Sequence, residues 1–134
     1  MKFLDMVSND HEGAGYIFLT PDNLILFLLK HNGKYTFVGG HREKKETPLQ
    51  TANRETIEEI GFLPEGKILD YIKYIKKETG RTCYSFIMKV NQPFLPKISN
   101  EHIDFVWIPL SHLSKINPSK AVVDALPKLF KKLK

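Results

Sequence analysis

Between Gly39 and Phe62 the chain reads GGHREKKETPLQTANRETIEEIGF, and this stretch constrains the fold most. It is a glycine turn, a polar loop and a short helix with clear start and stop signals. Thr47 is placed as N-cap, Pro48 as the first helical residue and Gln50 as the reciprocal partner of a capping box. Gly61 supplies the left-handed residue past the end. Such a helix carries Glu55, Glu58 and Glu59 at positions i, i+3 and i+4, close together on one surface. Like charges at that spacing repel by about 0.2–0.5 kcal/mol per pair. The negative end of the helix dipole disfavours them further. No lysine lies inside the helix, and Arg54 alone does not neutralise three acids. A bound divalent cation is the simplest partner. Leu49, Ala52, Thr56 and Ile60 form the expected core-facing stripe, with the carboxylates on its flank.

The remaining segments supply a frame for that helix. Strands are expected from Ala14 to Thr20 and from Leu24 to Leu29, joined through Pro21-Asp22-Asn23, a turn by composition. The run LILFLL is continuous and apolar, as in a strand covered on both faces. A third strand, Tyr35 to Val38, is expected to end at Gly39-Gly40. Ile68 to Ile75, Thr82 to Val90 and Ile103 to Ile108 read as further strands, and Pro109 to Leu113 as a short helical turn. Asn91 to Asn100 is a loop without periodicity. Ser119 caps a last helix with the stripe Val122, Val123, Leu126, Leu129, Phe130 and Leu133, which Pro127 is expected to kink or split. Residues 1–13 read as a polar leader or a short edge strand. Strands interleaved with two main helices imply a mixed α/β layered domain.

The 134 residues suit one domain with an ordinary core. With 42% hydrophobic and 26% charged residues, the composition is that of a globular protein. No apolar run is long enough to span a bilayer, and the N-terminus lacks the apolar core of a signal peptide. The lone Cys83 excludes an internal disulfide and a multi-cysteine zinc site, and a cytoplasmic location is the expectation. The net charge of +5 attracts polyanions in general. Much of the excess lies in Lys128 to Lys134, which reads more simply as a solvated helix face.

The order of residues around the helix resembles the Nudix hydrolase signature, G-x5-E-x7-R-E-U-x-E-E-x-G-U, with U a bulky apolar residue. Here it reads Gly40, Glu46, Arg54, Glu55, Thr56, Glu58, Glu59, Gly61 and Phe62. Thr56 departs from the usual apolar residue, and the preceding strand end lacks the proline that many members carry before the two glycines. The resemblance implies a Nudix-type α/β/α sandwich, with a mixed β-sheet between helices, over residues 1–134. It implies Glu55, Glu58 and Glu59 as ligands of Mg²⁺, with Mn²⁺ as a substitute, together with the Gly39 carbonyl and Glu101 from a later loop. Asp104 is the nearby substitute for Glu101. It further implies that Arg54 holds the acids in place and that Glu46 orders the loop or binds a further metal indirectly. The general base is one of Glu59, Glu55 and Glu101, and the sequence does not rank them.

The resemblance also implies a pyrophosphohydrolase acting on a nucleoside diphosphate linked to another group, and hard-cation chemistry fits that reaction. Nucleoside triphosphates, dinucleoside polyphosphates and RNA 5′ ends are the candidate substrates. His41, Arg42, Lys44 and Lys45, in the loop before the helix, are placed to meet phosphates. His31, His102 and His112 read individually as residues without a task. Tyr35, Phe37, Tyr74, Tyr84 and Phe86 read as core aromatics among which a base-stacking residue can lie. The alternative function is a nucleotide, ADP-ribose or RNA binding module with weak catalysis. No membrane partner is expected. Monomer and homodimer both fit, since the leader and the LILFLL run can serve as core or as interface.

Overall fold

The LILFLL run becomes the centre of a sheet. The structure, a computed structural model, describes residues 12–133. Among the described residues seven strands form one mixed sheet: β1 (Glu12–Leu19), β2 (Leu24–Lys30), β3 (Tyr35–Thr36), β4 (Val38–His41), β5 (Lys67–Lys76), β6 (Arg81–Lys89) and β7 (His102–Pro109). Helix α1 (Pro48–Ile60) lies between β4 and β5, and α2 (Lys120–Lys132) follows a 3₁₀ turn at Leu110–Lys115. β1 and β6 are parallel through eight paired positions, from Glu12 with Thr82 to Leu19 with Lys89, and the other pairings are antiparallel.

Alternation along the central strands builds two apolar layers. Tyr16, Phe18, Leu26 and Leu28 face one way and pack with Ala52 and Ile60 of α1. Ile17, Ile25, Phe27 and Leu19 face the other way and meet Val122, Ala125 and Leu129 of α2. The result is the expected α/β/α sandwich. Ile25, Leu26, Phe27 and Leu28 are buried in it, so LILFLL is core and not interface. Each fully buried side chain of this size contributes roughly 1.5–3 kcal/mol. The leader expected at residues 1–13 falls largely outside the described residues.

Three expectations are corrected. Gly39-Gly40 is not a turn that ends a strand. It lies within β4, whose register with β1 sets Gly15 opposite Gly39 and Ala14 opposite Gly40. Glycine is needed there because the backbones pass so closely: a β-carbon on Gly15 would overlap the Val38 carbonyl. In α1 the buried face is Thr51, Ala52, Thr56, Glu59 and Ile60, whereas Leu49 is exposed. The helix is rotated so that a carboxylate, rather than that leucine, points inward. Finally, α2 runs through Pro127 without interruption. Pro127 and Val123 are both on the exposed side, where water can take the Val123 carbonyl that proline leaves without its helical donor. Val123 and Phe130, expected in the apolar stripe, are about half exposed.

The caps of α1 form as the sequence implies. The Thr47 side chain accepts from Gln50 N–H, the Gln50 side chain accepts from Thr47 N–H, and Gly61 takes a left-handed φ of 87°. The loop after β6 then secures the other end. Lys97 N–H donates to the Ile60 carbonyl at 3.0 Å and Ser99 N–H to the Glu59 carbonyl at 3.1 Å. These bonds satisfy carbonyls that a helix end otherwise leaves open. They also bring the Glu101 segment alongside the acids.

Candidate active site

β1 and β2 pair at Leu19 with Ile25, and beyond that rung each takes other partners. A cavity of about 740 Å³ opens along this part of the sheet. Gly13, Gly15, Gly39 and Gly40 line it, as do Glu55, Glu58 and Glu59 from α1 and Glu101 with His102 at the start of β7. The absence of side chains on the glycines makes the room. A β-carbon at Gly40 would collide with the Glu55 carboxylate, which packs directly on that glycine.

Glu59 is the most enclosed of the acids, with 5% of its surface exposed. Gly39 N–H donates to its Oε1 at 2.8 Å. Burial pushes its carboxyl up to about 8, reinforced by the charges of Glu55, Glu101 and Glu58 and opposed by the Gly39 hydrogen bond. His102 Nε2 lies 4.0 Å from Glu59 Oε2. Burial pushes the imidazole below its ordinary value, so near neutral pH both partners are mostly uncharged and the contact is not an ion pair. His102 Nδ1 is buried without a hydrogen-bond partner among the described residues. Glu55 is raised as well, chiefly by burial, with Arg54 acting against the shift.

Arg54 holds the outer acids through its fixed fork of donors. Its Nε donates to Glu46 Oε2 at 2.7 Å and its Nη2 to Glu46 Oε1 at 3.0 Å. Nη1 donates to Glu55 Oε1 at 3.0 Å and to Glu58 Oε2 at 3.2 Å, and Nη2 reaches the His41 carbonyl at 2.9 Å. The hydrogen bonds from Arg54 hold the Glu46 carboxyl down at about 2. Glu46 Oε1 also accepts from Glu43 N–H and from the Thr51 hydroxyl, so this acid ties the loop to the first turn of α1.

The loop cations are placed differently from the expectation. Arg42 donates to the Glu12 carboxylate and, through Nε, to the Glu46 carbonyl. Lys44 and Lys45 are exposed, and none of the three lines the cavity, although His41 does. The loop must reach back to β1 and to the helix N-terminus, and Arg42 is used in that fastening. The cavity's cations are instead Lys30, Lys76 and Arg81. Their positions at strand ends were readable in the sequence, but the pairings that gather them were not. Phe37, Tyr74 and Tyr84 also line the cavity, while Tyr35 and Phe86 pack against the two cores. Asp104 lies further along β7, outside the cavity lining.

The donor set suits a hard divalent cation. Several carboxylate oxygens face one cavity, and one of them, on Glu59, is buried without a countercharge. Among the described residues, no three His, Cys, Asp or Glu side chains already converge as a ligand set. Arg54 bridges Glu55 and Glu58 in this arrangement. A cation that keeps several waters, as Mg²⁺ does, needs only a few direct carboxylates.

This is the architecture of an α/β/α hydrolase with a carboxylate-bearing helix under a glycine-lined cleft. Residues 9–130 match the NUDIX domain, and the chain belongs to the Nudix hydrolase family. The fold is shared with solved structures at low sequence identity. An Ap4A hydrolase from C. elegans, in a binary complex, is 24% identical, with a TM-score of 0.75 and coverage of 90% of this chain and 96% of that one. A Nudix hydrolase from M. smegmatis, RenU, is 17% identical at a TM-score of 0.76, covering 92% and 86%. A bifunctional NMN adenylyltransferase/ADP ribose pyrophosphatase from Francisella tularensis is 20% identical at a TM-score of 0.71, covering 93% of this chain and 42% of that one. Among the described residues no helix is long and apolar enough to cross a membrane.

Proposed function

We propose that this chain is a Mg²⁺-dependent pyrophosphohydrolase that cleaves the diphosphate of a nucleoside diphosphate linked to another moiety. The observation that carries the reading is the buried Glu59 carboxylate, fixed by Gly39 N–H and facing a cavity shared with Glu55, Glu58 and Glu101. A buried acid raised this far has little reason to persist unless a cation or a proton transfer uses it. Glu55, Glu58 and Glu59 would hold the metal with the Gly39 carbonyl, and Glu101 would complete the set from the loop before β7. When bound, Mg²⁺ would neutralise phosphate charge and acidify a water.

The chain's own groups orient the site. Arg54 holds Glu55 and Glu58 at fixed positions and borrows Glu46 as an anchor in the loop. The Gly39 hydrogen bond fixes Glu59, and the carbonyls at the end of α1 are pinned by Lys97 and Ser99. The proton acceptor is one of Glu55, Glu59 and Glu101. Of these, Glu101 is the acid whose carboxylate neither Arg54 nor a backbone N–H holds among the described residues, which favours it as the acceptor in the arrangement where it stays off the metal and Glu55, Glu58 and Glu59 are the ligands.

The structural neighbours named for Ap4A and for ADP-ribose support a nucleotide substrate class without selecting a member. A panel of nucleoside triphosphates, dinucleoside polyphosphates, ADP-ribose, nucleotide sugars and 5′-triphosphate RNA, with Mg²⁺ and with Mn²⁺, tests the reading. Mononucleotide or phosphate release that stops on chelation supports it. Silence across the panel refutes it.

A further inference from the structure

The Glu59 carboxylate is held at one oxygen only. Gly39 N–H donates to Oε1 at 2.8 Å, whereas Oε2 accepts no hydrogen bond among the described residues. His102 Nε2 lies 4.0 Å from that free oxygen, in a side chain with only 5% of its surface exposed. Backbone bonds fix the approach of the ring. Ser99 N–H donates to the Glu59 carbonyl at 3.1 Å, and His102 N–H donates to the Ser99 carbonyl at 3.2 Å. Pairing with Lys30 of β2 holds His102 from the other side.

The second ring nitrogen decides where the proton sits. His102 Nδ1 is buried without a hydrogen-bond partner among the described residues. A proton there would be an orphaned donor, and the bare Nε2 would face a carboxylate oxygen, lone pair against lone pair. A proton on Nε2 removes that opposition and leaves Nδ1 an empty acceptor, which is tolerated more readily than a buried N–H. Glu101, Lys30 and His31 act on the ring electrostatically, but none of their side chains bonds to it among the described residues. We propose that His102 is a positioning residue for Glu59, its Nε2–H holding Oε2 of the ionised carboxylate where a divalent cation is received. An N–H···O bond needs roughly 2.7–3.2 Å, so closing the contact takes a movement of about 1 Å. The carboxylate can supply it by turning about its broad terminal torsion while Oε1 stays on Gly39. A neutral imidazole steadies the anion without adding a positive charge that would compete with the metal. Each oxygen then keeps a lone pair free for the cavity. This assignment rests on the hydrolase reading above.

The test measures Mn²⁺ binding by electron paramagnetic resonance in the wild type, His102→Gln, His102→Asn and His102→Phe. Gln carries an amide N–H about as far out as Nε2, Asn only as far as Nδ1, and Phe has no donor. Affinity should fall about tenfold in H102F and H102N and stay within about threefold in H102Q. Combined with Glu59→Gln, H102F should cost less than about twofold, because its effect passes through Glu59. Unchanged affinity in H102N, or an equal loss in H102Q, overturns the assignment, and so does a full tenfold loss beside Glu59→Gln. Should H102F not fold, H102N against H102Q makes the same comparison. In metal-free protein with isotopically labelled histidine, nitrogen NMR should show the Nε2–H tautomer, assigned by its loss in H102Q. The Nδ1–H tautomer overturns the assignment. If the wild type takes up no Mn²⁺, the hydrolase reading falls, and the tautomer still decides whether His102 offers Glu59 a donor.

Discussion

Glu59→Gln in the metal-free protein should change the pH dependence of stability more than any other single substitution at the site. The carboxyl moves from 4.5, its ordinary value, to about 8 on folding. Between those values the folded state binds the proton more tightly than the unfolded chain, so stability falls as pH rises. It is fully present below about 4.5 and lost as pH climbs through 8. Each unit is worth about 1.4 kcal/mol, so the cost is on the order of 1 kcal/mol at pH 5 and 3–5 kcal/mol by pH 8–9. Gln keeps an oxygen acceptor for Gly39 N–H and carries no charge, so the variant should lack this loss. His102, whose ionisation is disfavoured by burial, acts in the opposite direction: its contribution is lost as pH falls below 6.5. Present in both proteins, it largely cancels in the difference. Thermal unfolding in chelator at pH 5 and at pH 8.5 should show the Tm of the wild type dropping by roughly 10 °C relative to the variant. Mg²⁺ at pH 8.5 should then restore the wild type and leave the variant nearly unmoved, because a cation favours the ionised carboxylate. Parallel pH curves for the two proteins in chelator would refute the reasoning.

Three further outcomes follow from the same geometry. Glu58→Gln and Glu59→Gln should each lower kcat by roughly a hundredfold or more with far-ultraviolet circular dichroism unchanged, and full turnover in either would remove it from the metal site. Gly40→Ala drives a methyl into the Glu55 carboxylate, so steady-state assays should show turnover falling by about tenfold or more, whereas Gly33→Ala, outside the cavity lining and strained only by its left-handed φ of 82°, should cost stability and leave turnover of the folded protein alone. Arg54→Lys keeps the charge but loses the fork that joins Glu46, Glu55, Glu58 and the His41 carbonyl; urea unfolding should register a loss of about 1–3 kcal/mol, and kcat should fall more than KM rises.

The α1 segment was legible because its logic is local. Thr47, Pro48, Gln50 and Gly61 act on backbone groups within a turn of themselves, and the spacing of Glu55, Glu58 and Glu59 places them on one surface wherever the helix docks. Even here the sequence misjudged the rotation. Leu49 looked like core and Glu59 like flank, because an apolar stripe weighs hydrophobicity and cannot anticipate that Gly39 N–H will receive a carboxylate inside. Arg42, expected among the phosphate contacts, is drawn to Glu12 for a similar reason, since that partner is brought up by the pairing of β4 with β1.

The sequence by itself determined the caps of the helix, the alternating apolar strands that make an α/β/α sandwich, and the constellation of acids and glycines. Each depends on residues a few positions apart, where helix and strand periods dictate direction. Only the tertiary structure decided how deeply Glu59 is buried, that Lys97 and Ser99 fasten the end of α1, and that Lys30, Lys76 and Arg81 line the same cavity as the acids. Those arrangements depend on the parallel pairing of β1 with β6 and on β7 returning beside β2. Such pairings join residues from about 70 to about 85 positions apart, and no local period carries that information.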